Sequence, residues 1–284
     1  MDKRPIASVA RTREILNTYN LRAKKNFGQN FLIDVSVVAR AAEAAHCVQA
    51  VIEIGPGIGS LTEQLALRSA HVRSYEVDER LLPVLREELR DYDNIEIILQ
   101  DFLECDLEAS VSELKKAYGG VNVCANLPYY VTSPILFKLF EGPKDIEYIT
   151  VMIQKEVADR FSAKPGTADY SALSVEAQCL YDVRKLFTVP RTAFSPAPNV
   201  DSAIVQFHRK KDVTADPEFF ALIRAAFQQR RKTLYNNLKE YTGSAETAQD
   251  ILQDAGLESG VRAQELDVNA FHALYDAYRK RNGK

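Results

Sequence analysis

The chain predicts an α/β fold: a mostly parallel sheet with crossover helices, followed by a small α-helical C-terminal domain. From residue 51 onward, short apolar runs alternate with stretches of helical periodicity, the pattern left by right-handed crossovers between parallel strands. The first run closes on a glycine-rich turn, Gly55-Pro56-Gly57-Ile58-Gly59. Beyond residue 217 the strand-like runs stop and the pattern stays helical to the end.

Residues 9–20 (VARTREILNTYN) predict an N-terminal helix leading into a basic stretch. Strands are expected at 51–55 (VIEIG), 72–76 (VRSYE), 95–99 (IEIIL), 121–125 (VNVCA) and 148–153 (YITVMI), the short runs typical of a buried parallel sheet. Helices are expected between them, near 60–69, 79–90, 110–118 and 134–141. Thr132-Ser133-Pro134 reads as a helix start, with a hydroxyl cap and a proline whose missing N–H costs nothing in the first turn. Further strands are expected at 183–189 and 201–208, the latter alternating only in part. Residues 209–217 (RKKDVTADP) read as a polar linker, ending in Asp216-Pro217 as cap and first residue of a helix. Breaks fall near Thr242-Gly243-Ser244 and Ser259-Gly260. The expected domains are therefore 1–209, a ligand-binding domain with a basic N-terminal extension, and 210–284, a helical domain.

Composition narrows the function classes. Hydrophobic residues make up 46% of the chain, which favours a globular protein over a disordered one. There is no apolar run long enough for a membrane span, and the N-terminus lacks the apolar segment of a secretory signal. A cytoplasmic protein with no membrane partner is expected, monomeric by default. Cys47, Cys105, Cys124 and Cys179 are widely spaced, as are His46, His71, His208 and His272. Reduced core thiols are expected, and no metal site. The net charge is −3, but cations cluster in residues 1–25 and 224–239 while acids gather elsewhere, as at Glu87, Glu88, Asp91 and Asp93. An acidic chain with that distribution can still present a basic face.

The turn at Gly55–Gly59 carries the first chemical signal. Its G-x-G-x-G spacing departs from the G-x-G-x-x-G of dinucleotide sites, and no phosphate-loop lysine follows. Glu76 closes the next strand, where a carboxylate can bind ribose hydroxyls. Asp101-Phe102 follows the third, pairing an acceptor for an adenine amine with a ring to cover the base. Each position has a bland alternative: chain reversal for the glycines, a surface acid for Glu76, a helix cap for Asp101. The ordered set, at the carboxyl ends of parallel strands, predicts a nucleoside cofactor. S-adenosylmethionine fits it, because nothing is organised to hold a pyrophosphate.

Asn126-Leu127-Pro128-Tyr129 follows the fourth strand and carries the second signal. The Asn126 side-chain oxygen and the Leu127 carbonyl can each accept one N–H of an adenine amine, freeing its lone pair for attack on a methyl group. Tyr129 can stack on an extruded base, a contact worth about 1–3 kcal/mol. Phe194, at the head of the proline-stiffened segment Phe194–Ser202, can hold the other face. Taken alone, these are a proline-ordered loop and a core phenylalanine.

With these elements, and with Lys24-Lys25-Asn26-Phe27-Gly28-Gln29-Asn30-Phe31-Leu32 and Phe227-Gln228-Gln229-Arg230-Arg231-Lys232, the chain resembles the ribosomal RNA adenine dimethyltransferases over nearly its whole length. The resemblance implies a class I, Rossmann-like methyltransferase sheet with S-adenosylmethionine as cofactor. It implies cofactor contacts at Asn30, Leu32, Gly55, Glu76, Asp101 and Asn126, with Gly57 and Phe102 beside them. It also implies target contacts at Asn126, Leu127, Pro128, Tyr129 and Phe194. The implied reaction is dimethylation of two adjacent adenosines in small-subunit ribosomal RNA, on the RNA or a pre-ribosomal particle. Asn199 departs from the pattern, where a lysine is frequent, which removes one phosphate contact. Lys24, Lys25, Arg230, Arg231 and Lys232 become candidates for phosphate binding; for Arg230 or Arg231, anchoring of the helix to the catalytic domain stands beside it as an equal reading. Alternatives are the resistance branch acting on large-subunit RNA, a DNA adenine methyltransferase, and a non-catalytic assembly factor. Leu127, where DNA enzymes carry proline, favours RNA.

Overall fold

The computed structural model describes residues 4–21, 30–211, 213 and 215–281. It divides into two compact units. The first runs to Ala158 and resumes over Arg184–Arg209, and the second comprises Asp159–Val183 and the chain from Lys210.

In the first unit, Ser8 caps helix α1 (Val9–Thr18) by accepting from the Arg11 N–H. Ile6 and Ile15 then pack with Phe31, Ile58, Leu81, Val84, Leu85 and Leu89. Arg11 pairs with Glu88 and Glu14, and Arg4 with Glu14, so these N-terminal cations serve the fold. A two-residue strand, β1 (Phe31–Leu32), precedes helix α2 (Val35–Ala44), which Asp34 caps through the N–H groups of Ser36 and Val37. Helix α2 has no counterpart among the expected elements. It buries Val37, Val38, Ala41 and Ala42 in a core shared with Val51, Val72 and Cys124.

The alternation then appears as β2 (Ala50–Ile54), α3 (Ser60–Ala66), β3 (His71–Glu76), α4 (Leu82–Glu88), β4 (Ile95–Leu99), α5 (Leu107–Tyr118), β5 (Val121–Asn126), α6 (Thr132–Glu141) and β6 (Ile146–Gln154). All the expected strands here form, within a residue or two of their predicted ends. Helix α6 starts differently from its predicted cap. It runs on from a 3-10 turn at Tyr129–Val131, and the Thr132 hydroxyl donates to the Pro128 carbonyl instead of capping.

Helices α7 (Lys155–Phe161) and α8 (Ala172–Leu180) follow, then β7 (Tyr181–Val189), the two-residue β8 (Phe194–Ser195) and β9 (Ser202–Arg209). The main sheet has the order β4-β3-β2-β5-β6-β9-β7. The ladders joining β2 through β6 are parallel, and β9 pairs antiparallel with β6. The chain moves outward from β2 to β4, then restarts on the other side of β2 with β5. That reversal makes the β2/β5 junction the place where an open sheet receives a ligand. The interior position of β9 explains its partial alternation, since nearly all of its residues are buried.

The second unit is helical: α8 with α9 (Pro217–Ala226), α10 (Leu234–Thr242), α11 (Ala245–Asp254) and α12 (Val268–Arg281). Asp216 and Pro217 act as predicted, as N-cap and first residue of α9. Gly243 ends α10 with φ +70°, and Ser244 caps α11. Residues 159–183 belong here and not, as the sequence suggests, with the sheet domain. Glu176 is buried against Arg224, which donates at 2.9 and 3.1 Å. The Tyr170 hydroxyl donates to the Leu266 carbonyl at 2.9 Å. A buried carboxylate and a buried phenol each require such a partner, so α8 is committed to these helices. No helix among the described residues is long and apolar enough to cross a membrane.

Candidate active site

At the β2/β5 junction lies a cavity of about 230 Å³. A single water needs about 10–15 Å³ on this measure, so the space suits a nucleoside-sized ligand. Its lining includes Asn30, Leu32, Gly55, Gly57, Glu76, Asp101, Phe102, Asn126, Leu127, Pro128, Tyr129 and Phe194. Residues from six separate segments of the sequence meet here.

The glycine turn forms one wall. Gly57 sits at φ +60°, a backbone angle costly for a residue with a Cβ, and its N–H donates to Glu76 Oε2 at 3.3 Å. The other oxygen of Glu76 accepts from the N–H groups of Val77 and Asp78, both at 2.8 Å. Burial raises the Glu76 pKa, and these N–H bonds oppose the rise. They orient the carboxylate at the strand end. Asp101 Oδ1 accepts from the Leu103 N–H at 2.8 Å, so it is indeed a cap, and it lines the cavity as well. Phe102 is buried edge-on to Tyr75, with ring centroids 5.6 Å apart. Lys138, which the sequence does not single out, donates to the carbonyls of Leu103 and Cys105 at 2.8 and 2.7 Å and so clamps this loop.

Asn126 ends β5, half-buried, and its carboxamide has no hydrogen-bond partner among the described residues. Leu127 is fixed by its N–H bond to the Met152 carbonyl at 3.1 Å. The Tyr129 hydroxyl lies 2.8 Å from Ser202 Oγ, tying the ring to the start of β9. Phe194 is brought in by an antiparallel ladder in which Leu32 faces Phe194 and Phe31 faces Ser195. The Ser195–Pro196 bond is cis. Tyr130, Val77 and Leu103 also line the cavity and are absent from the sequence-derived set.

Beneath the glycine turn, Glu53 is 1% exposed. Ser74 Oγ donates to its Oε2 at 2.7 Å, while Oε1 has no partner among the described residues. Burial, opposed by the Ser74 bond, pushes its pKa up to about 7. The folded state therefore holds this proton at pH values where the unfolded state has released it. The sign follows: Glu53 erodes stability progressively as pH rises from about 4.5 to 7, by on the order of 3 kcal/mol in all. Glu53→Gln is expected to flatten the fall in unfolding free energy between pH 5 and 8, measured by denaturant titration. An unchanged slope in that variant would show that Glu53 titrates as an ordinary carboxylate.

The candidate phosphate-binding cations fare unequally. Arg230 donates to the Ala168 carbonyl at 2.8 Å, and Lys232 pairs with Glu240 at 2.8 Å. Arg231 is exposed, with no hydrogen bond or ion pair among the described residues. Lys24 and Lys25 lie outside the described residues. No group of three or more His, Cys, Asp and Glu among the described residues is placed to hold a metal ion. The four cysteines are buried and free.

The strand order and the site at its reversal define a class I methyltransferase fold. The comparisons agree. The chain belongs to the ribosomal RNA adenine dimethylase family, whose model matches residues 20–280. It is 42% identical over 290 residues to ribosomal RNA small subunit methyltransferase A of Staphylococcus epidermidis, covering 99% of this chain and 98% of the relative. Among solved structures, a dimethyladenosine transferase from Plasmodium falciparum superposes with a TM-score of 0.75 at 26% identity, covering 88% of this chain and 98% of that one. The 23S rRNA methyltransferase ErmE superposes with a TM-score of 0.67 at 29% identity, covering 88% and 99%.

Proposed function

We propose that this chain uses S-adenosylmethionine to dimethylate the exocyclic amines of two adjacent adenosines in small-subunit ribosomal RNA, during ribosome biogenesis in the cytoplasm. The observation that carries this reading is the Asn126 carboxamide, without a hydrogen-bond partner among the described residues, in the same cavity as Glu76, Asp101 and the glycine turn. Bound there, S-adenosylmethionine supplies an electrophilic methyl group. The residues fit it: a strand-end carboxylate for ribose hydroxyls, an acidic cap for the adenine amine, and glycine backbone close to the ligand. Asn126 Oδ1 and the Leu127 carbonyl accept the two N–H bonds of the target amine. This localises its lone pair and holds it in line, the positioning that supplies much of the rate in such transfers. Tyr129, braced by Ser202, and Phe194, braced by β1, grip the base between them.

The small-subunit target is favoured over the large because the relative of that name shares 42% identity, against 29% for ErmE. The complete cavity weighs against a role in assembly alone, and Leu127 against DNA. The test is mass spectrometry of ribosomal RNA incubated with the protein and labelled cofactor. Two dimethyladenosines in small-subunit RNA are expected; label in large-subunit RNA or DNA only, or none, overturns the proposal.

RNA phosphates are the natural partners of the exposed cations. Each phosphate contact contributes about 0.7–0.9 to the slope of log K against log salt. Arg231→Ala is expected to reduce that slope by about one contact, and Lys232→Ala by less, because Glu240 already holds the lysine. Equal slopes for the wild type and Arg231→Ala would remove Arg231 from the interface.

A further inference from the structure

The 3-10 turn Tyr129–Val131 brings two consecutive tyrosines into the cavity lining. Tyr129 is bound through its hydroxyl to Ser202, at the start of β9. Tyr130 makes no hydrogen bond or ring contact among the described residues and is 57% exposed. No such contact among the described residues therefore accounts for it. It lines the cavity together with Asp101 and Glu76, and its phenol is held above its usual pKa by partial burial and then by the charges of those carboxylates. Val77, 44% exposed, lines the same cavity next to Glu76 in the chain. The cofactor half thus has exposed apolar surface at its rim, which a seated nucleoside would remove from water.

We propose that Tyr130 is a cofactor-retaining residue, whose ring covers the nucleoside half of the cavity and sets how tightly S-adenosylmethionine is held and how fast the spent cofactor leaves. The inference rests on the reading of the cavity given above and assigns this half to one tyrosine and the acceptor half to the other. A cofactor occupant is favoured over an RNA segment because Asp101 and Glu76 repel phosphates, whereas a ribose and an adenine amine are hydrogen-bond donors to them.

The test pairs calorimetry of S-adenosylmethionine with RNA filter binding on the full chain. Tyr130→Ala is expected to weaken cofactor binding about tenfold, within the range of an aromatic contact to a base. Dissociation of the demethylated product should be faster by a similar factor, with RNA affinity held within about twofold. Tyr130→Phe keeps the ring and is expected to restore most of the loss, a rescue that a general folding defect would not show. An unchanged cofactor dissociation constant in Tyr130→Ala overturns the inference, and weakened RNA binding alone would assign the ring to the substrate. If the wild type itself fails to bind S-adenosylmethionine, the reading of the cavity falls, and this inference with it.

Discussion

Asn126→Ala is expected to lower single-turnover methyl transfer by a factor of about 10²–10³, the usual loss when one preorganised dipole is removed from a developing charge. RNA affinity should stay close to that of the wild type, because phosphate contacts dominate it. The reasoning is geometric. The carboxamide stands at the end of β5 with no hydrogen-bond partner among the described residues, so truncating it breaks no hydrogen bond among them. What is lost, on the proposed mechanism, is one of the two acceptors for the target amine. The other, the Leu127 carbonyl, belongs to backbone pinned by the Met152 carbonyl and survives the substitution. Asn126→Asp keeps an acceptor but adds a negative charge to a cavity already lined by Glu76 and Asp101, and an intermediate rate is expected. Turnover equal to the wild type in Asn126→Ala would remove this side chain from the chemistry.

Glu76→Ala is expected to raise the dissociation constant for S-adenosylmethionine at least 100-fold. Hydrogen bonds to a charged group are worth about 1.5–3 kcal/mol each, and ribose hydroxyls would supply more than one. A second effect adds to this. Glu76 accepts from the N–H groups of Gly57, Val77 and Asp78, so its removal frees the glycine turn as well as the sugar. Glu76→Gln is expected to fall between the two, since one end of an amide cannot accept a hydrogen bond. Calorimetry measures the effect, and a parallel thermal melt separates it from a loss of folding. An unaltered dissociation constant would contradict the ribose assignment.

The parallel core was legible because each strand is a short apolar run closed by a polar or glycine turn, a signal carried by neighbours in sequence. The convergence of the strand ends on one cavity was legible for the same reason: Gly55–Gly59, Glu76, Asp101 and Asn126 each stand at the carboxyl end of such a run, and parallel topology brings those ends together. What escaped depends on partners distant in the chain. Strands β1 and β8 are two residues long and exist only through each other. Helix α8 has ordinary periodicity, and nothing local reveals that Glu176 meets Arg224. Lys138 reads as one more surface lysine until its two carbonyl acceptors come into view. In Arg230-Arg231-Lys232 three adjacent cations look alike, yet a carbonyl holds the first and a glutamate the third. Thr132 shows the same limit at short range. A hydroxyl before a proline predicts a cap, but the preceding turn leads straight into the helix, so the hydroxyl bonds backward to Pro128.

The small ladder of β1 and β8 has its own consequence. Leu32 and Phe194 both line the cavity, and main-chain pairing makes them opposite rungs; in the proposed function Leu32 serves the methyl donor and Phe194 the acceptor. Neither can shift without dragging the other. A lesion at either rung would therefore surface in the kinetics of both reactants, so a defect mapped to one of them by titration alone would be misattributed. If the proposed roles hold, these two-residue strands work as a common axle through which the two binding events are geared.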